Sequence, residues 1–303
     1  MSNTSPAYAM PRVMRSRFLL GLLFSSGIAL VAYRRQSLDK SGVSGTIACG
    51  TSIFSTGGWS WGLTLIYFFV SSSLLSHFRK RDKARAAADK FSKGSQRDIA
   101  QVAANGGLAT VFALIYGLAR PPRTRRLALA GFTGALATAN GDTWATELGV
   151  LSASAPRLIT NGKAVAPGTS GGITPLGTAA SSIGACSLGL FFWAGHGFRK
   201  SLAPLPLMAF ISGMAGSFCD SFLGATLQAM YYCPACMTET ERRIHRCGTR
   251  TRPLRGITWM NNDVVNFLAT TCGSAVAMGM SALFPYTQRE NMFSIKRPTN
   301  GRR

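Results

Sequence analysis

Acidic side chains are scarce in this chain of 303 residues: it holds only 11, against 33 Lys and Arg, for a formal net charge of +22. Charged residues of either sign amount to 15%, whereas a soluble globular domain carries about a quarter. Uncharged stretches are correspondingly long. The runs 41–76, 99–119, 164–195 and 264–288 contain no Asp, Glu, Lys, Arg or His. About 18 apolar residues suffice to span a bilayer as a helix, which satisfies its backbone groups internally. The shortage of acid thus excludes an ordinary soluble domain and predicts a polytopic membrane protein. The excess of Lys and Arg does not point to nucleic acid, because it lies in short clusters between apolar runs rather than over one surface. Anionic lipid headgroups or the phosphate of a substrate suit it better. No Ser/His/Asp arrangement stands out, which disfavours hydrolase chemistry. His77 and His196 are isolated and read as interfacial residues.

The segmentation predicts an all-α transmembrane helix bundle of about eight crossings, with a range of six to nine, at 18–33, 41–56, 60–76, 99–118, 127–150, 171–193, 204–229 and 264–284. The 36-residue run 41–76 is too long for one crossing at 1.5 Å per residue, and Gly57-Gly58 is its natural fold point. Arg15 and Arg17 before the first apolar stretch follow a signal-peptide order. No small-residue cleavage site precedes Arg34, so the segment reads as a retained helix. The organisation is therefore an N-terminal tail 1–17, a single transmembrane domain 18–284 and a basic C-terminal tail 285–303. By the positive-inside tendency, the face bearing loops 34–40, 77–98, 151–170 and 230–263 is cytosolic or its equivalent. Composition specifies neither the membrane nor the oligomeric state.

Seven of the carboxylates lie in loops or tails, where water accounts for them. Asp142, Glu147, Asp220 and Asp263 instead fall inside or beside apolar segments, where each costs roughly 2.5–3.5 kcal/mol even on the mild insertion scale. If the segments alternate in direction, all four acids come out on one face of the membrane. Asn105, Asn140, Asn262 and Asn266 join them there as polar support. The connection between the fifth and sixth crossings adds Arg157 and Lys163, then Gly168, Thr169, Ser170, Gly171 and Gly172 leading into a helix expected to begin near Gly171. Such glycines let backbone N–H groups turn inward, and a helix N-terminus adds positive dipole, a combination that suits phosphate. Arg157 and Lys163 would contribute charge-assisted hydrogen bonds. Asp and Asn oxygens suit a hard ion such as magnesium that bridges to phosphate. Asp142 and Glu147 stand about 140° apart around an ideal helix, so Asp142 is the preferred metal ligand or base, while Glu147 is expected to pair with an Arg or a helix N-terminus. The same glycines also permit close helix packing. Three readings follow from the residues: a phosphate-handling enzyme, a transporter or lipid-handling protein whose acids bind a coupling ion, and a non-catalytic scaffold. Separately, Cys233-Pro-Ala-Cys236 has zinc-ligand spacing, whereas His245-x-Cys247 is tighter than the usual second pair, and spacing alone does not decide whether these four bind zinc.

Seven stretches carry a family resemblance: 71–78 (SSSLLSHF), 98–107 (DIAQVAANGG), 140–149 (NGDTWATELG), 156–160 (PRLIT), 167–177 (PGTSGGITPLG), 220–228 (DSFLGATLQ) and 261–266 (NNDVVN). In these the chain resembles the transmembrane protein 19 family of integral membrane proteins, which includes the plant phytyl-phosphate kinase of the vitamin E pathway. The resemblance implies transfer of phosphate from CTP or ATP, with Mg2+, to an isoprenoid monophosphate in the bilayer. It carries over Asp142, Glu147, Arg157, the 168–172 loop, Asp220 and Asn262; with the chemistry above, Asp142, Glu147 and Asp220 are expected to be catalytic, Asp142 and Asp220 to hold magnesium, Arg157 and the loop to bind phosphate, and Asn262 to support them. The Cys233 to Cys247 segment is not part of the matching pattern.

Overall fold

The computed structural model describes residues 12–87 and 96–283. Most of the expected N-terminal tail, and all of the expected C-terminal one, lie outside the described residues. Helices α1 (Arg12–Arg34), α2 (Lys40–Gly57) and α3 (Trp59–His77) are followed by the short α4 (Lys80–Ala87). Next come α5 (Ile99–Val102), a π-helical turn (Ala103–Gly107) and α6 (Leu108–Leu118), which form one continuous rod. The remaining helices are α7 (Pro122–Gly149), α8 (Pro175–Gly195), α9 (Leu205–Thr226) and α10 (Asn262–Leu283). Five rods among the described residues, Arg15–Arg34, Ile99–Leu118, Pro175–Gly195, Lys200–Thr226 and Asn262–Leu283, are long and apolar enough to cross a membrane. The other three long helices, α2, α3 and α7, span 18, 19 and 28 residues at the positions of the second, third and fifth expected segments.

Local chemistry sets the boundaries. Gly58, at φ +82°, closes α2 and opens α3, so the long uncharged run folds where Gly57-Gly58 predicts. Asp39 caps α2 by accepting from the Gly42 N–H at 2.7 Å, and Asp98 makes a reciprocal capping box with Gln101 at the start of α5. Two of the loop acids attributed to simple solvation are thus helix caps.

Helix α7 is the axis of the bundle. Every residue from Ala128 to Gly141 is buried, and α6, α8, α9 and α10 pack around it. Small residues at the crossings allow this closeness: a Cβ on Gly213 of α9 would stand 2.9 Å from the Ala137 carbonyl oxygen of α7. Trp61, Tyr116, Phe132 and Phe192 fill one end of the core with offset and edge contacts between 4.2 and 5.6 Å. Large apolar side chains such as Leu23, Leu74, Ile183 and Phe222 cover the outside of the helices. That pattern suits lipid tails, because hydrocarbon solvates apolar surface without the penalty water imposes.

The helical class holds, and two connections between helices differ from expectation. Residues 171–173 do not begin the sixth helix: β2 (Gly172–Ile173) pairs antiparallel with β1 (Arg157–Leu158), and α8 starts at Pro175 with Thr174 as its cap. The pyrrolidine at the first helical position and the Thr174 oxygen accepting from Gly177 N at 3.0 Å fix that start. The segment expected as a basic loop after the seventh crossing contains β3 (Met230–Cys233), β4 (Thr238–Thr240) and β5 (Arg252–Arg255), in the sheet order β4-β3-β5. Its β-favouring Tyr231, Tyr232, Thr238 and Thr240 account for the strands.

Candidate functional site

A cavity of about 270 Å³ opens where α3, α5, α7, α9 and α10 converge with the 168–172 loop. Asp142, Glu147 and Asp220 line it, as do Asn105, Asn262, Asn266 and Gly168, Thr169, Ser170, Gly171 and Gly172. Residues scattered over more than 160 positions of sequence therefore share one chamber.

Helix α7 supplies two of the acids without any break, and they diverge as the helical geometry requires. Asp142 Oδ1 accepts a long hydrogen bond of 3.4 Å from Ser217 of α9. Glu147 faces the other way: Ser76 of α3 donates to Oε1 at 2.5 Å, and Lys83 of α4 reaches Oε2 at 2.5 Å. The expected partner of Glu147 was an Arg or a helix N-terminus; the partner is a lysine. Asp220, on α9, feels the charge of Asp142 and Glu241, and its Oδ2 is buried with no hydrogen-bond partner among the described residues. A buried carboxylate oxygen without a donor is costly in a fold that otherwise pairs its polar atoms. The π-helical turn inserts an extra residue beneath Asn105, whose Nδ2 donates to Gln101 O at 3.0 Å, and Thr270 of α10 donates to the Ala104 carbonyl. Such turns re-aim side chains at functional positions. Asn262 and Asn266, four apart on α10, present one helical face to the chamber.

The 168–172 loop is built of two tight turns, with Thr169 N donating to Ala166 O and Gly172 N to Thr169 O. Gly171, at φ +82°, is required there, since a Cβ would sit 2.6 Å from the Ala225 backbone. Ser170 Oγ donates to Gln228 Oε1 at 2.6 Å, and Gln228 Nε2 donates to Glu241 at 2.9 Å. Arg255 of β5 donates to the Gly224 and Ala225 carbonyls at the end of α9, both at 2.8 Å, and to Ser170 O at 3.3 Å. Burial lowers its pKa, and the charge of Glu239 opposes the shift.

Several expected site residues lie elsewhere. Arg157 and Lys163 are exposed and do not line the chamber, because the β1–β2 pairing turns the 157–164 hairpin outward and Arg157 Nη1 bonds within it to Gly162 O at 2.9 Å. Asn140 is a buried brace between helices, accepting from Ser71 at 3.0 Å and donating to Gly184 O at 2.7 Å. Asp263 is buried in the first turn of α10, outside the lining. His77 and His196 bond to backbone carbonyls near helix ends, in keeping with a structural role.

The cation that does line the chamber is Arg97. Sequence reasoning passed over it, although it directly precedes the matching stretch at Asp98. Its guanidinium donates to Ser73 Oγ at 3.3 Å and stands 5.6 Å over the Phe69 ring. Burial lowers its pKa, and the Glu147 charge opposes the shift. Its backbone is pinned by Arg97 N to Ser37 O at 3.0 Å and Asp39 N to Arg97 O at 3.1 Å. Glu241 was also missed, and its position depends on sheet pairing that no local motif announces.

A second, smaller pocket of about 70 Å³ adjoins the first between α1, α2 and α3. Its walls are apolar, with Ile28, Phe54, Leu65, Ile66 and Phe69, yet it shares Arg97, Gln101, Asn105 and Thr143 with the polar chamber.

The chain is similar to known membrane proteins over most of its length. Protein PGR of Arabidopsis thaliana is 34% identical over 273 residues, covering 84% of this chain and 92% of the relative. A membrane protein of Methanocaldococcus jannaschii is 29% identical over 264 residues, 86% of this chain and 93% of the relative. Protein VTE6, chloroplastic, of Arabidopsis thaliana is 25% identical over 264 residues, 86% and 69% of the two chains. No solved structure matches. These relatives agree with the resemblance to the transmembrane protein 19 family, and the long apolar helices agree with a multi-pass integral membrane protein. With a family model matching residues 23–274, the chain belongs to the family described as Integral membrane protein DUF92.

Proposed function

We propose that this protein transfers the terminal phosphoryl group of a nucleoside triphosphate to an isoprenoid monophosphate held at the membrane. The observation that carries the reading is the junction of the two pockets: a small pocket whose apolar lining matches hydrocarbon meets an oxygen-rich chamber at Arg97. The resemblance to the family containing a plant phytyl-phosphate kinase supports the same substrate class.

In this reaction an oxygen of the lipid phosphate attacks the γ-phosphorus, the bond to the β–γ bridging oxygen breaks, and nucleoside diphosphate leaves. The products are prenyl diphosphate and nucleoside diphosphate. A phosphate monoester has a second pKa near 6 and is already anionic at neutral pH, so the nucleophile needs no general base. The work left to the protein is positioning and charge stabilisation. Arg97 orients the lipid phosphate with charge-assisted hydrogen bonds. Glu147 holds Lys83 and balances Arg97 rather than reacting. The 168–172 loop places backbone groups along the donor phosphates.

The carboxylates of Asp142, Asp220 and Glu241 would repel a triphosphate if left alone. An all-oxygen donor set with an unpartnered buried Asp220 Oδ2 fits a hard divalent cation. Asp142 and Asp220 would hold magnesium, with Asn262 nearby, and the bound ion would supply charge neutralisation for the phosphates.

The test is direct. Purified protein in lipid nanodiscs, given phytyl or geranylgeranyl monophosphate with CTP or ATP and magnesium, is expected to form the diphosphate by mass spectrometry, and Asp142→Asn to abolish it. No turnover with any prenyl monophosphate, together with unchanged lipids in cells carrying Asp142→Asn, overturns the reading. Nucleotide-independent uptake abolished by Asp220→Asn would replace it with transport.

A further inference from the structure

Beside the chamber, and used by none of the chemistry above, stands a compact cluster of thiols. The β3–β4 hairpin turns through Cys233-Pro-Ala-Cys236, and a second turn between β4 and β5 carries His245 and Cys247. One ligand-type atom from each of these four side chains lies within 4.8 Å of all the others. Each turn ends on a left-handed residue one position after a cysteine, Met237 at φ +50° and Gly248 at φ +83°. A methionine in that region is strained and needs a compensating reason.

The distances suit a metal better than a disulfide. Cys233 Sγ and Cys247 Sγ are 3.7 Å apart, and all the described cysteines are free. Tetrahedral zinc with bonds of about 2.3 Å sets its sulfurs roughly 3.8 Å apart, whereas a disulfide needs about 2.05 Å. His245 Nδ1 stands 3.2 Å from Cys247 Sγ. This answers the objection from spacing: a histidine that ligates through its near nitrogen needs less chain to reach a shared ion than one using the far nitrogen. Three thiolates and one imidazole form a closed donor set that zinc favours, with no open position for catalysis.

The consequence reaches the site through the sheet. Strand β3 pairs Tyr231 with Thr240 and Met230 with Arg255. Arg255 grips Ser170 O and the end of α9, while Glu241, next to Thr240, continues the Gln228–Ser170 hydrogen-bond chain. A three-stranded sheet of 3–4-residue strands buries little apolar surface and needs a staple. We propose that Cys233, Cys236, His245 and Cys247 bind a structural zinc ion that locks this sheet and thereby braces the 168–172 loop. Zinc binding stands on the cluster alone, and does not depend on the phosphotransfer reading.

The experiment measures metal on the full chain, purified in detergent under reducing conditions without chelator. Plasma mass spectrometry is expected to find one zinc per chain, released by a thiol-specific mercurial, and cobalt exchanged into the site should show a tetrahedral thiolate spectrum. Cys233→Ser/Cys247→Ser should lower the zinc content more than tenfold. Hydrogen exchange of backbone amides in 168–172 should speed at least tenfold when zinc is stripped from the wild-type chain. A wild-type protein that neither carries nor takes up zinc overturns the site, as does full zinc occupancy in the double variant. Unchanged loop exchange after stripping overturns the bracing role. Because the wild-type stoichiometry and the cobalt spectrum need no variant, misfolding of the double variant leaves the site testable. Loss of kinase activity alone counts neither way, so failure of the phosphotransfer reading is distinguishable from failure of this one.

Discussion

Replacing Glu147 by alanine removes the one carboxylate that Lys83 touches among the described residues. The Lys83 side chain is 12% exposed and that of Glu147 22%, so the cation would be left in a largely dry setting with the Leu75 carbonyl as its remaining acceptor among the described residues. Ser76 Oγ would lose its acceptor at the same time, and Arg97 a balancing charge. Removing one partner of a buried ion pair costs about 3–5 kcal/mol, while exposed pairs contribute about 0.2–1 kcal/mol. Residual access to water discounts the first figure, giving an expected loss of about 2–3 kcal/mol. At about 2–4 °C per kcal/mol, the melting temperature should fall by roughly 5–10 °C. Asp82→Ala is the control: its pair with Arg79 has side chains 41% and 56% exposed, and its removal should shift melting by less than about 2 °C. Thermal unfolding in detergent, followed by cysteine-reactive fluorescence or light scattering, reads both. The double variant Lys83→Met/Glu147→Ala should lose less than the sum of its single variants, since it leaves no unpaired cation. Equal shifts for Glu147→Ala and Asp82→Ala, or strict additivity in the double variant, would refute the reasoning.

Asp220→Asn removes the charge from a carboxylate whose buried Oδ2 has no donor among the described residues, so it should leave stability unchanged or raise it while lowering phosphotransfer at least about a hundredfold, measured as melting temperature against turnover. Arg97→Gln is expected to raise KM for the lipid phosphate about ten- to hundredfold through loss of charge-assisted hydrogen bonds, with partial recovery in Arg97→Lys; an unchanged KM would remove Arg97 from the substrate. Gly171→Ala forces a Cβ against the Ala225 backbone from a left-handed φ, at a cost of about 1–2 kcal/mol for the conformation alone, and should lower both melting temperature and turnover. Ile66→Trp fills the apolar pocket and should depress turnover of geranylgeranyl monophosphate more than that of an isopentenyl-sized substrate; equal depression would detach this pocket from the tail.

Local sequence determined much of this protein. Uncharged runs mark the helical rods because the free energy of burying apolar residues accumulates along contiguous windows. Gly57-Gly58 marks their sharpest turn because its conformation depends on its own backbone. The scarcity of acid made Asp142, Glu147 and Asp220 conspicuous, and a simple alternation of segments was enough to put them at one end of the bundle. What stays local ends there. That Asp142 meets Ser217 while Glu147 meets Ser76 and Lys83 depends on how α3, α4 and α9 pack around α7. Among the described residues the chamber cation is Arg97 instead of Arg157 or Lys163, because the 157–164 hairpin, closed by Leu158 N to Lys163 O and paired through 157–158 with 172–173, turns outward, whereas Arg97 is clamped between the starts of two helices. Cys233, Cys236, His245 and Cys247 are legible in the sequence as four residues but not as one cluster within 4.8 Å, because their approach is set by the register of β3 with β4 and by two left-handed turns. Hydropathy and capping act over a few neighbouring residues and can be read along the chain. Convergence of side chains from distant segments is fixed only when the helices and strands find their crossings, and there the tertiary structure decides.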